Sequence, residues 1–133
     1  MKVMALDYGS ARTGVAVSDP TGTIARPLCT VERAHTDSGL DELTRLVSHE
    51  SVAQVVVGHP LTLRGERGEQ ARASEQFAAR LRKRLDIPVV LFDERFTTDL
   101  AQQTPDSSAD LDARAAAHLL SGFLSWSSAG GAA

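Results

Sequence analysis

Val3-Met-Ala-Leu-Asp-Tyr-Gly-Ser-Ala-Arg-Thr-Gly-Val-Ala-Val17 is the stretch whose reading decides the fold. It opens on an unbroken apolar run, Val3 to Leu6, the pattern of a central strand covered on both faces. Asp7 ends that run. Tyr8 to Gly14 follows as a glycine-punctuated connection into a second strand, Val15 to Val17. Asp19-Pro-Thr-Gly22 is a turn signal, so a third strand is expected from about Thr23 to Leu28. Strands joined this closely form an antiparallel meander, because parallel neighbours need a long crossover.

Beyond the meander the period changes. Leu40, Leu43 and Val47 share one helical face, with Leu46 beside it. Val55-Val-Val57 reads as a buried strand ending at Gly58-His59-Pro60. A loop rich in Gly and Arg, Arg64 to Gly68, leads into a helix whose apolar face carries Phe77, Ala78, Leu81 and Leu85. Pro88 to Phe92 is a fifth strand. A short helix is expected from Thr97 or Thr98, and a last one from about Ser108 to Phe123. The order βββ-α-β-α-β-α predicts an α/β fold: one mixed five-stranded sheet, order 3-2-1-4-5, with strand 2 antiparallel and helices on its faces. Residues 1–126 are expected to form one domain. Residues 127–133, Ser-Ser-Ala-Gly-Gly-Ala-Ala, are expected to be a disordered tail, having nothing to bury.

The chain has 133 residues and a formal charge of -3, which argues against coating nucleic acid by bulk electrostatics but not against gripping a few phosphates. Cys29 stands alone, so no internal disulfide can form and a reducing compartment is the simplest expectation. The apolar run at the start is too short for a signal peptide and no stretch approaches membrane-spanning length, so the expected location is cytoplasmic.

Three carboxylates stand where apolar patterning predicts burial. Asp7 closes a buried strand, and removing an unpaired carboxylate from water costs several kcal/mol or more. Turn capping or a pair with Arg12 would also account for it. Asp93-Glu94-Arg95 follows the fifth strand at its carboxyl end, where open α/β sheets bind ligands; a solvated turn with an internal Glu-Arg pair is the alternative. Asp112 shares a helical stripe with Ala115, Ala116, Leu119 and Phe123, although an acid in a first helical turn also serves the helix dipole. Together Asp7, the Asp93-Glu94 pair and Asp112 are expected to point toward one end of one sheet. Clustered like charges resist simultaneous ionisation, and an all-oxygen donor set selects Mg²⁺ or Mn²⁺. No Cys/His set has zinc-ligand spacing.

Residues Leu6 to Asp19, with Val56-Val-Gly-His-Pro-Leu61, Asp93-Glu-Arg-Phe-Thr-Thr98 and Asp112-Ala-Arg-Ala-Ala116 in that order, resemble the motifs of the YqgF/RuvX family, relatives of the junction resolvase RuvC. The resemblance spans residues 3 to about 124. It implies an RNase H-like fold and a divalent-metal nuclease, linked in the family to 5′-end maturation of pre-16S rRNA and, in an older proposal, to Holliday-junction resolution. The family's acidic positions fall on Asp7, Glu94 and Asp112. On this reading the three acids hold two metal ions for an in-line phosphodiester displacement. The partner is nucleic acid, RNA ahead of junction DNA, for a monomer or a homodimer. The chain departs from the family between Thr98 and Asp112, where residues 99–110 make a short connection without basic residues.

Arg12, Arg95, Arg64 and Arg67 are candidates for phosphate contact. The arginines of the loop and second helix are interleaved with Glu66, Glu69 and Glu75, a pattern that a solvated helix face also produces. Gly9, Gly14 and Gly58 are expected to matter for backbone geometry near the site. His59 is read as a surface or packing residue. Two other classes fit parts of the sequence: a non-catalytic RNA-binding assembly factor, and one half of an actin/Hsp70-type ATPase, a fold that needs two such domains.

Overall fold

The computed structural model describes residues 1–96 and 111–130. β1 (Val3–Asp7), β2 (Arg12–Ser18) and β3 (Ala25–Glu32) form the meander. The helix α1 (Asp37–His49) leads to β4 (Gln54–His59), and α2 (Glu69–Arg82) to β5 (Val89–Asp93). A 3-10 turn at Glu94–Phe96 follows, and α3 (Leu111–Ser128) closes the described chain. The sheet order is β3-β2-β1-β4-β5, with β1 antiparallel to β2 and parallel to β4, as the patterning predicted.

Several boundaries differ from the expectation, β2 beginning at Arg12 rather than Val15. β3 starts at Ala25 rather than Thr23 and runs on to Glu32. The cause is Asp19: its carboxylate accepts from the backbone N–H of Thr23 and Ile24 at 2.7 and 2.8 Å, so the turn consumes those residues before pairing can begin. The last helix does not stop at Phe123, and its final turn takes in Ser127 and Ser128 of the expected tail. Trp126 packs against Phe92 and Phe123, with ring centroids 5.5 and 6.0 Å away, which keeps the helix on the sheet beyond Phe123. The expected helix at Thr97 or Thr98 and the expected start at Ser108 lie outside the described residues.

Side chains alternate across the strands, so each strand feeds two cores. One face carries Met4, Leu6, Val15, Val17, Val55 and Val57 beneath α1 and α2, which supply Leu40, Leu43, Phe77 and Leu81. Fully burying each of these large side chains is worth about 1.5–3 kcal/mol. The other face is thinner. It carries Val3, Ala5, Ala16, Val56 and Phe92, and α3 covers it with Ala116, Leu119, Leu120 and Phe123. α1 begins at a Thr36 cap, whose hydroxyl accepts from the Gly39 N–H at 3.1 Å. α2 leaves the helix at Arg82, yet Leu85 still packs on the first core. Among the described residues no helix is long and apolar enough to cross a membrane.

Candidate active site

The alternation that builds the thin core also places the acids. Continuing it along β1 from Val3 and Ala5 puts Asp7 on the α3 face, and along β2 from Ala16 it puts Gly14 there too. Asp7 and Gly14 are paired residues of the β1–β2 ladder. Gly14 has no side chain because the start of α3 lies directly on it: a Cβ at this position would overlap the carbonyl of Asp112. The bare strand position opposite Asp7 is thus where the helix brings in Asp112.

Gly58 performs the matching task on β4. A Cβ there would lie 2.9 Å from Glu94 Oε2 and 3.2 Å from Leu119 Cδ2, so the Glu94 carboxylate lies over β4 beside the helix. Gly9 admits the Arg12 carbonyl close to its own Cα in the β1–β2 connection. At each of these glycines a Cβ would meet a neighbouring backbone or side-chain atom within 3 Å.

Asp7 and Glu94 are ionised only at a cost. Burial, then repulsion from Asp112, pushes the Asp7 carboxyl above the usual carboxylate range. Burial, then repulsion from Asp7, pushes Glu94 up to about 7, with His59 opposing the shift and Asp93 adding to it. Both line one cleft of about 260 Å³, walled also by Tyr8, Ser10, Pro60, Gln70 and Ala73. Asp112 is turned otherwise: its Oδ2 lies 3.0 Å from Arg12 Nε. Among the described residues, no three His, Cys, Asp or Glu side chains converge closely enough, as they stand, to hold an ion. The donors nevertheless suit a hard divalent cation, being carboxylates forced together and desolvated on one cleft.

The arginines divide. Arg95 forks onto Asp93, with Nε and Nη2 donating to Oδ2 at 2.9 and 2.6 Å, and its Nη1 reaches the Leu63 carbonyl at 3.4 Å. Those hydrogen bonds hold Asp93 below its ordinary pKa. Arg67 forks onto Glu75, holding that carboxyl at about 2 together with His59. Arg64 stands exposed on the loop before α2. Arg12 is exposed but engaged by Asp112.

Some of this arrangement was not read from the sequence. His59, taken for a surface or packing residue, is half-buried and contacts Glu75 Oε2 at 2.6 Å. Its pairing with Asp93 across β4 and β5 sets it next to Glu94 in the fold. Gln70 and Ser10 were not singled out either. A signal for Gln70 existed: it continues the Ser74, Phe77, Leu81 stripe of α2 one turn toward the cleft.

A family model described as "RuvX: Holliday junction resolvase" matches residues 1–126. A protein of Chloroflexus aurantiacus (strain ATCC 29366 / DSM 635 / J-10-fl), named "Putative pre-16S rRNA nuclease", is 46% identical over 76% of this chain. The chain spans 66% of that relative, just under two thirds of its length. A protein of the same name from Roseiflexus sp. (strain RS-1) is 40% identical over 92% of this chain and 93% of its own length. Among solved structures, T. thermophilus RuvC in complex with a Holliday junction substrate aligns with a TM-score of 0.69 at 13% identity, covering 98% of both chains. The Fowlpox virus resolvase in complex with Holliday junction DNA aligns with a TM-score of 0.51 at 10% identity, over 94% of this chain and 97% of that one. At such identities the structures speak to the fold alone, and that fold is the RuvC-like RNase H fold. Its sequence likeness goes further: the chain belongs to the RuvX family.

Proposed function

We propose that this protein is a divalent-cation-dependent nuclease that hydrolyses phosphodiester bonds, with pre-16S rRNA as its first candidate substrate. The carrying observation is Asp7 and Glu94 on one cleft, each destabilised as an anion by burial, Asp7 further by Asp112 and Glu94 by Asp7. Such a pair stores a demand for positive charge. Asp7 and Glu94, with Asp112, would hold Mg²⁺ or Mn²⁺, and two ions suit an acidic set of this size. When bound, the cation supplies the Lewis acidity that lets water attack a phosphodiester and stabilises the departing oxygen.

The protein's own groups do the rest. Asp7 and Glu94 fix where positive charge accumulates, at the carboxyl ends of β1 and β5. Arg12 and Arg64, both exposed, offer guanidinium to phosphates. His59, on β4 beside Glu94, opposes the upward shift of the Glu94 carboxyl. Cys29 is reduced in this reading, and the protein works in the cytoplasm, where ribosomal RNA precursors are trimmed.

The test is hydrolysis of a 5′-extended pre-16S rRNA fragment and of a four-way DNA junction under the same Mg²⁺ or Mn²⁺ and salt. The RNA is expected to be cut and the junction to be cut poorly. Asp7→Asn should lose about a hundredfold or more, since loss of even an outer-sphere partner of a metal site costs 10- to 100-fold. Preferential junction cutting by a dimer would replace the rRNA reading with a recombination one. RNA binding without metal-stimulated cleavage would make the protein an assembly factor.

A further inference from the structure

The contact between Arg12 and Asp112 works against the task assigned to Asp112. Arg12 Nε lies 3.0 Å from Asp112 Oδ2, with the arginine 66% and the aspartate 34% exposed. A carboxylate shared with a guanidinium is a poorer cation ligand, and among the described residues the three acids do not converge as they stand. Relief cannot come from the backbone. The main chain of Asp112 rests on Gly14, with no room for even a Cβ between them. Gly14 is paired with Asp7, and Asp7 already feels the charge of Asp112. What can change is the rotamer of a two-torsion side chain anchored opposite Asp7.

Arg12 is one group that holds that rotamer. It sits at the exposed first position of β2, two residues before Gly14. Its planar fork matches a phosphate at least as well as a single carboxylate oxygen. The geometry points to Arg12 as a positioning residue that keeps Asp112 on the seam in the free protein. When it takes a backbone phosphate of the nucleic acid, it releases Asp112 to turn toward Asp7 and complete the cation site. This rests on the nuclease reading and adds an order of events: cation and nucleic acid bind cooperatively, each tightening the other by the same factor.

Mn²⁺ binding, read by calorimetry and by electron paramagnetic resonance of free Mn²⁺, tests this without turnover. In the absence of nucleic acid, Arg12→Gln is expected to bind Mn²⁺ about two- to fivefold more tightly than the native protein, the range set by partly exposed ion pairs. Removing a nearby positive charge would also tighten binding, so the double variant is decisive. In an Asp112→Asn background, Arg12→Gln should bring no gain if it acts through Asp112. A single-stranded RNA with phosphorothioate linkages should tighten Mn²⁺ binding to the native protein and leave the Arg12→Gln affinity unchanged. An Arg12→Gln affinity equal to native, or a gain that survives Asp112→Asn, overturns the proposal. Where Mn²⁺ binding depends on Asp7 but is indifferent to Arg12, the gating idea alone fails. Where Asp7→Asn changes nothing in any background, the metal reading falls and takes this one with it.

Discussion

The two faces of the sheet are built from the same strands and differ in thickness; the candidate acids come from the thin one, at a sheet end where α2 of the thick side also walls the cleft. Under α1 and α2 the strands present Met4, Leu6, Val15, Val17, Val55 and Val57 to Phe77, Leu40, Leu43 and Leu81. Under α3 they present Val3, Ala5, Ala16 and Val56, and then, at the carboxyl end of β1 and β4, Gly14, Asp7 and Gly58. Large side chains hold helices away from a sheet. Alanine and glycine let one down onto it. The thick face accordingly supplies most of the hydrophobic stabilisation, while the thin face brings a helix-borne carboxylate within electrostatic reach of a strand-borne one.

The sharpest way to break the contrast is to thicken the thin face. Gly14→Ala places a Cβ into the Asp112 carbonyl and must lift the start of α3. Loss of about 3 kcal/mol or more in unfolding free energy is expected, at the upper end of overpacking costs, with nuclease activity falling along with it even where the protein remains folded. The mirror experiment thins the thick face. Leu81→Ala, fully buried between α2 and the sheet, should cost about 2–5 kcal/mol, yet leave the proposed cleavage by the folded protein within a few-fold of native. Urea unfolding paired with cleavage assays below each midpoint checks both. Equal loss of turnover in the two variants would mean that thickness has nothing to do with the site.

Continuous apolar runs and helical stripes made most of this visible in the sequence. An unbroken apolar run marked β1 as central with Asp7 at its end, and a helical stripe marked Asp112 as a carboxylate out of place, which are local signals. The partners were not visible, because they depend on contacts remote in sequence. Nothing near His59 announces Glu75, sixteen residues on and three residues short of the core position Ala78. Nothing near Arg12 says that it will meet Asp112 rather than Asp7. The late start of β3 was missed because a single Asp19 carboxylate takes two backbone donors. A turn motif names the turn and leaves open how far its side chain reaches.

A smaller effect sharpens the electrostatic side of the comparison. Glu94 carries a pKa of about 7 in the folded protein against the ordinary 4.5. Between those values the native state binds more protons than the unfolded chain, so stability falls as pH rises from about 4.5 through about 7. Glu94 keeps substantial solvent contact, and after screening the loss is about 1–2 kcal/mol. Glu94→Gln should flatten this slope and be the more stable protein at pH 8, measured without divalent cation. Mg²⁺ should restore native stability at pH 8 and leave the variant little changed, since the cation takes over the compensation that the proton gave. A slope that persists in Glu94→Gln would move its origin elsewhere.

The smallest effect concerns the rim, where two arginines three residues apart have opposite circumstances. Arg67 is spent on Glu75, and its fork also steadies the carboxylate that His59 contacts. Arg64 stands exposed on the loop that ends at α2. A guanidinium already neutralised by a carboxylate releases few counterions when nucleic acid arrives, whereas an exposed one releases its share. Arg64→Glu should therefore weaken RNA binding by a few-fold and lower the slope of log affinity against log salt by about 0.7, the value for one contact on a single strand. Arg67→Glu should change that slope less, and act instead through Glu75, by leaving two carboxylates to repel across the mouth of α2. Filter binding from low to moderate salt separates them. If Arg67→Glu proves to flatten the slope more than Arg64→Glu, the Arg67–Glu75 pair opens on the nucleic acid, and the rim is rebuilt by binding in the way Arg12 and Asp112 are proposed to be.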